Sequence, residues 1–133
     1  MDLIRGQESW IHYVGAQFGK DKLKYFGLAS FQAITGLVGL NIIDSFATLT
    51  PLITTRNPLH SPEISYLDNY KNGIITDDTP EAYEEGILTY LRDKSIQETM
   101  RHGCEIARKE YTIENMASNF LEGINNALGI KER

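Results

Sequence analysis

The sequence lacks several features that would assign it to a class at once. Cys104 is the single cysteine among 133 residues, so an internal disulfide is excluded and a reducing, cytoplasmic location is favoured. Acidic residues outnumber basic ones by 18 to 13, and the net charge of −5 disfavours a nucleic-acid role. No apolar run approaches the length of a membrane span, and the N-terminus lacks the layout of a signal peptide.

Internal repeats, low-complexity tracts and a recognisable linker are also absent. The chain is 41% apolar and 23% charged, which is ordinary for a globular domain and argues against disorder. Residues 1–133 are therefore expected to form a single domain, or one half of a two-domain protein. Lys20, Lys22 and Lys24 lie close together, but Asp21 interrupts them, and we interpret them as the solvated face of a helix.

The most informative stretch runs from Gly36 to Thr55. A short apolar run over 31–34 leads into a turn that contains Gly36 and Gly39. An amphipathic segment over 40–49 follows, and then a second apolar run over 51–55. This order predicts a strand, a glycine turn, a helix and a second strand. An anion at such a turn meets unpaired backbone N–H groups and the positive end of a helix dipole.

The rest of the chain predicts further strands and helices around this unit. Strands are expected at 10–14, 30–34, 51–55 and 74–76, and helices at 20–28, from 40, from 79, around 96–107 and from 112 to 129. Thr79 and Thr112 are the predicted N-caps, and Gly129 is the predicted helix end. We expect the helix from Leu40 to be buried on two sides. The predicted fold class is α/β with parallel strands, strand-rich over 10–76 with a helical tail over 79–129.

A series of short motifs follows a fixed order along the chain: Gly39-Leu40, Asp44, Ala47, Pro51-Leu52-Ile53, Pro62-Glu63-Ile64 and Asn72-Gly73-Ile74-Ile75. Together they resemble the C-terminal, donor-binding domain of the group 1 (family 4) retaining glycosyltransferases, which have the GT-B fold of two Rossmann-like domains. The match covers 11–128. The resemblance implies a truncated Rossmann-like half, since the family's N-terminal domain and the first two strands of this domain have no counterpart here.

The resemblance implies transfer of a hexose from a UDP- or GDP-linked nucleotide-sugar to a glycan acceptor, in polysaccharide or glycoconjugate biosynthesis. It implies no metal and no other cofactor. The expected location is cytoplasmic, and peripheral at the inner membrane face in a full enzyme. The implied partners are the nucleotide-sugar, the acceptor, and an N-terminal domain or partner chain, without which turnover is not expected. The alternative is a catalytically inactive remnant or split subunit that associates with a partner chain.

The residues that the resemblance assigns to the donor are Gly36, Leu37, Val38, Gly39, Leu40, Asp44 and Glu63. The amides of the turn suit the diphosphate, and Asp44 stands where the family has the second glutamate of its signature, which holds the ribose. Gly36 stands where the family has the first glutamate and offers no side chain to the sugar. No residue is assigned to catalysis.

Structural alternatives remain open for each of these residues. The two glycines are also explained by a tight turn, Asp44 by solvent exposure or pairing with a basic residue, and Glu63 by stabilisation of a first helical turn. His60 and Glu63 lack a third metal ligand nearby, and Cys104 lies on an apolar helical stripe typical of a core. The last helix packs on the N-terminal domain in the family. Without that domain its apolar residues are expected to be exposed and to favour self-association.

Overall fold

The computed structural model describes residues 10–129 of the chain. The helices are α1 (Gly19–Leu28), α2 (Asn41–Thr48), α3 (Pro80–Arg92), α4 (Lys94–Glu110) and α5 (Ile113–Leu128), and a 3-10 helix spans Pro62–Tyr66. The strands are β1 (Gln32–Ala33), β2 (Leu52–Thr55) and β3 (Gly73–Thr76). No helix within 10–129 is long and apolar enough to span a bilayer.

The three strands form one parallel sheet in the order β1-β2-β3. Gln32 lies opposite Leu52, and Leu52 lies opposite Gly73. Parallel neighbours require a crossover, which α2 supplies between β1 and β2 and the 3-10 segment supplies between β2 and β3. The predicted α/β class with a parallel sheet is therefore confirmed, and the arrangement is consistent with a Rossmann-like fold.

Helices cover both faces of the sheet. Successive residues of β2 point to opposite faces, so neighbouring residues of this strand pack under different helices. Leu52 packs in a core cluster with Val38, Ile42, Phe46, Leu67, Cys104 and Ala107, under α2 and α4. Ile53 packs in a second cluster with Ile74, Tyr90 and Met100, under α3 and the first half of α4. Both strand residues are fully buried. Leu52 and Ile53 are both apolar, with no alternation of apolar and polar residues, because β2 lies between two helical layers.

The predicted helix ends are confirmed by their capping contacts. The Thr79 hydroxyl accepts a hydrogen bond from the Ala82 N–H (3.2 Å), and the Thr112 hydroxyl accepts one from the Asn115 N–H (3.1 Å). Gly129 follows α5 with a φ of 68°, a left-handed conformation that suits glycine. Pro62 starts the 3-10 helix as expected from its position.

The strand predicted at 10–14 is wrong, because this segment forms no strand. Its aromatic and β-branched side chains are all exposed. Such residues favour strands because they pack well on a half-buried pleated surface, and no neighbouring strand within 10–129 provides one. The strand predicted at 30–34 is present but shortened to the two residues of β1.

The prediction that α2 is buried on two sides is also wrong. Ile42 and Phe46 are fully buried against the sheet and α4, but Leu40 and Ala47 on the other side are exposed. The helix α1 and the 3-10 helix also contact α2, but they leave Leu40 and Ala47 uncovered, and Leu40 lines an open groove. The last helix, α5, buries none of its residues within the part of the chain that the structure describes.

Candidate functional site

Three loops meet at the edge of the sheet where the strands end. The first loop, 34–40, follows β1; the second, 56–61, follows β2; and the third, 77–79, follows β3. Because the strands are parallel, their carboxyl ends lie at the same edge, which is where open α/β sheets bind ligands. The predicted glycine turn is the first of these loops.

The backbone of the first loop offers free hydrogen-bond donors. Among the hydrogen bonds of residues 10–129, none is donated by the amides of 36–40. The amides that follow already have partners, since the Asn41 N–H donates to the Val38 carbonyl (3.1 Å) and the Ile42 N–H to the Gly39 carbonyl (3.4 Å). Five consecutive donors therefore remain free in the loop that leads into α2.

The structure explains the presence of a glycine at only one of the two glycine positions in this loop. Gly39 has a φ of 48°, in the left-handed region that favours glycine. Gly36 does not have such a φ. A Cβ atom added at either position would meet no atom within 4 Å, so the space in front of both residues is open. Backbone conformation explains Gly39, whereas neither conformation nor packing within the described residues requires a glycine at 36.

The side chains of the first loop hold it in place and leave its backbone accessible. Val38 is fully buried and belongs to the core cluster under α2 and α4. Leu37 and Leu40 are 66% and 69% exposed on either side of it. A single buried side chain therefore anchors the loop to the core, which fixes the position of the free amides without covering them.

Asp44 forms an ion pair with a lysine that the sequence analysis had placed on a solvated face. The Lys22 Nζ atom of α1 lies 2.5 Å from Asp44 Oδ2 in α2, and both side chains are about 30% exposed (32% and 28%). Lys22 also lies 5.7 Å from the centre of the Phe26 ring. The alternative of pairing with a base is thus realised at Asp44. A ligand at this carboxylate must compete with Lys22.

Glu63 lies near the start of the 3-10 helix with its Oε2 atom buried and without a hydrogen-bond partner among the described residues. The Ser61 hydroxyl and the backbone N–H of Glu63 itself lower the pKa of this carboxyl, although neither contact has full hydrogen-bond geometry. Glu63 therefore carries a negative charge at neutral pH and retains capacity to accept a hydrogen bond.

A groove of about 520 Å³ connects part of the predicted site. Leu40 and Glu63 line it from one side and Tyr111 and Met116 from the other, so the structure brings the end of the glycine turn and Glu63 to one surface. Asp44 does not line this groove. The predicted donor residues are therefore split between the groove and the α1–α2 contact.

A second groove at the same edge was missed by the sequence analysis. It has a volume of about 500 Å³ and includes Thr35, Thr55 and Tyr83 in its walls. The Thr55 hydroxyl donates to the Thr35 carbonyl (2.9 Å), and the Tyr83 hydroxyl donates to the Ile53 carbonyl (3.2 Å). Thr35 follows β1, Thr55 ends β2 and Tyr83 lies in α3, so the groove joins three separate segments that no single sequence pattern links.

The metal and thiol alternatives have little support within 10–129. His60 Nε2 lies 2.8 Å from the Thr55 carbonyl oxygen, so the ring donates there. No three His, Cys, Asp or Glu side chains in this range are placed to hold a metal ion. Burial raises the pKa of the Cys104 thiol to about 12, and the thiol donates to the Asn72 carbonyl (3.3 Å), as suits a core residue.

Comparison with known proteins assigns no family to this site. The chain matches no protein-family model, and no curated protein matches it significantly. The function must therefore be inferred from the residues and their geometry.

Proposed function

We propose that the chain is the nucleotide-sugar-binding half of a glycosyltransferase. The complete enzyme would transfer a hexose from a UDP- or GDP-linked donor to a glycan acceptor. One observation carries the proposal: the five amides of 36–40 are free, and they lie at the carboxyl edge of a parallel sheet, directly before a helix. Within a nucleotide-sugar, the diphosphate is the anionic group, and it therefore best matches such a row of N–H groups.

The chemistry of glycosyl transfer from a nucleotide-sugar fits this arrangement. The diphosphate is the leaving group, and negative charge develops on it as the bond to the sugar breaks. Fixed N–H donors stabilise that charge without reorganising during the reaction. The buried Val38 side chain keeps the donors fixed, and the open space in front of Gly36 and Gly39 leaves room for the phosphates.

Two carboxylates complete the proposed donor site. Asp44 would accept hydrogen bonds from the ribose hydroxyls once a nucleotide displaces Lys22. Glu63 would accept a hydrogen bond from a sugar hydroxyl. A contact between Glu63 and a phosphate is disfavoured, since both groups are negative at neutral pH. In this proposal the amides of 36–40 bind the diphosphate, and the two carboxylates bind hydroxyl groups of the ribose and of the sugar.

The proposed half-site needs a second domain or chain for turnover. The first loop keeps its free amides and the groove beside it is open to solvent, and we assign no described residue to general-base or nucleophilic catalysis. The second domain or chain would position the acceptor. The reaction would take place at the cytoplasmic face of the membrane, where nucleotide-sugars are available. No metal is required in this proposal.

A second candidate function is that of a binding subunit without activity, which associates with a partner chain. The observation that favours it is the open edge of β1. Within 10–129, β1 pairs with β2 alone, and the N–H groups of Phe31 and Thr35 donate no hydrogen bond. A strand supplied by another chain would satisfy these groups.

The proposed function is tested by removing one free amide without changing the fold. Leu40→Pro deletes the N–H of Leu40, which is unpaired, at a φ of −67° that proline adopts readily. Leu40→Ala is the matched control, since it shortens the same exposed side chain and keeps the N–H. Binding of UDP, GDP and ADP and of their sugar conjugates is measured by calorimetry or ligand-detected NMR.

The expected result is that one of the nucleotides binds the wild type and Leu40→Ala equally. Leu40→Pro is expected to weaken that binding by about 10-fold or more, the usual value of a hydrogen bond to a charged group. Absence of binding to every nucleotide at millimolar concentration contradicts a donor site on this chain and leaves the binding-subunit candidate. Equal binding by both variants contradicts the role of the loop.

A further inference from the structure

The last helix, α5, presents a continuous apolar surface with no partner in the described residues. Its exposed side chains, 40% to 77% accessible, are Ile113, Met116, Phe120, Leu121, Ile124 and Leu128. The α5 face, as we call these six residues, belongs to a helix of 16 residues that is capped at both ends. A patch of this kind on a stable helix marks an interaction surface.

The spacing along α5 indicates what packs on this face. Ile113, Ala117, Phe120, Ile124 and Ala127 follow each other in alternate steps of four and three residues. This is the repeat of a seam at which one helix packs against another along its length. Ala117 and Ala127 are small, which permits a close approach of the second helix. The face therefore fits a helix better than a sheet or a small ligand.

The charges on α5 argue against a membrane surface as the occupant. The helix contains two acidic residues, Glu114 and Glu122, and no lysine or arginine. Helices that lie on anionic lipid carry basic residues along their polar face.

The exposed area is sufficient for a dimer. At roughly 100 Å² for each of the six side chains, burial of the α5 face removes about 600 Å² per copy from water. The groove beside it, to which Ile113 and Met116 contribute together with Leu40 and Tyr66, extends the same surface. A stable interface buries about 600–1,000 Å² per partner, so the α5 face reaches the lower end of this range and the rest of the groove rim adds to it.

We propose that α5 is a dimerisation helix, which packs on α5 of a second copy of this chain. A two-fold contact uses the same face on both copies, so each α5 provides the helix that the seam of the other requires. The inference stands on the exposed apolar residues of α5 and does not require that the loop of 36–40 binds a nucleotide, although Leu40 lines the groove beside the α5 face.

The test measures the mass of the full 133-residue chain in solution by sedimentation velocity over a range of micromolar concentrations. The wild type is expected to convert from monomer to dimer as concentration rises. Phe120→Glu, which places a charge at the centre of the face, is expected to raise the dissociation constant at least ~10-fold. Ser118→Glu is the matched control, because Ser118 is exposed on the opposite side of the helix and receives the same charge.

Each outcome decides between dimerisation through α5 and the alternatives. Loss of the dimer in Phe120→Glu with retention in Ser118→Glu supports the proposal. A wild type that stays monomeric throughout overturns it, as expected if another polypeptide covers α5. A dimer that survives Phe120→Glu also overturns it, because another surface then holds the copies together. Circular dichroism checks that both variants keep their helix content, and equal loss in both variants contradicts a specific seam.

Discussion

The helices α4 and α5 follow each other in the chain, and their surroundings differ completely. They have nearly equal lengths, 17 and 16 residues, and each carries an apolar stripe and an N-cap. α4 buries Met100, Cys104 and Ala107 against the sheet and α2. α5 buries no residue.

The comparison shows that amphipathic periodicity predicts a helix and its apolar face, and leaves the partner of that face open. For α4 the partner is the sheet of the same chain. For α5 the partner lies outside the described residues, and we propose that it is a second copy. Matched substitutions in the two helices measure this difference, because the same chemical change meets a packed core in one and open space in the other.

Methionine truncation gives the largest expected difference between the helices. Met100 is fully buried in α4, whereas Met116 is 66% exposed in α5. Met100→Ala is expected to lower the free energy of unfolding by about 2–5 kcal/mol, and Met116→Ala by less than about 0.5 kcal/mol. Urea denaturation at a concentration where the chain is monomeric measures both values. Similar losses of unfolding free energy in the two variants would mean that α5 is packed against the rest of the chain.

Alanine substitution of the glycines is expected to have opposite signs in the two helices. A Cβ at Gly103 in α4 would clash with the Lys71 carbonyl oxygen and lie 2.7 Å from its carbon. At Gly123 in α5 it would meet no atom within 4 Å. Gly103→Ala is therefore expected to lower the free energy of unfolding by about 1–3 kcal/mol through overpacking.

Gly123→Ala is expected to raise helix stability by about 0.5–1 kcal/mol, since alanine is the better helix former. Thermal unfolding monitored by circular dichroism compares the two variants. A stabilising Gly103→Ala would show that α4 sits farther from the loop at Lys71 than the structure places it.

Removal of the N-caps distinguishes global from local stability. Asp93 caps α4 by accepting from the Ser95 N–H (2.8 Å), and Thr112 caps α5. Asp93→Ala is expected to lower the free energy of global unfolding by about 1 kcal/mol. Thr112→Ala is expected to speed amide hydrogen exchange within α5 while the exchange of β2 and β3 is unchanged. Faster amide exchange of the strands in Thr112→Ala would contradict this prediction, because it would mean that α5 unfolds together with the core.

Much of the fold could be predicted because its elements depend on local patterns. Thr79, Thr112 and Gly129 define helix ends through contacts with residues three or four positions away. Leu52 and Ile53 lie in an apolar run between two turn signals, which predicts a buried strand of a parallel sheet. The strand predicted at 10–14 failed because strand formation depends on a neighbour, and β-propensity alone does not supply one.

The candidate site could be predicted only in part. The glycine turn was recognised from its spacing, and the structure adds that its amides are unpaired. The ion pair between Lys22 and Asp44 could not be foreseen, because the two residues are 22 positions apart and meet through the packing of α1 on α2. The groove at Thr35, Thr55 and Tyr83 was missed for the same reason, since it forms only when β1 pairs with β2 and α3 packs beside them.

The most direct test of the central claim is a nucleotide titration of the isotope-labelled chain, followed by the backbone amide signals. We predict that UDP or GDP shifts the signals of the amides of 36–40 in a saturable manner. Signals of Ile124 and Leu128, which lie in the second half of α5 and do not line the groove, are expected to stay in place at the same protein concentration and serve as the internal control. Unchanged signals of 36–40 at millimolar nucleotide, or shifts confined to other regions, would contradict the proposed donor site.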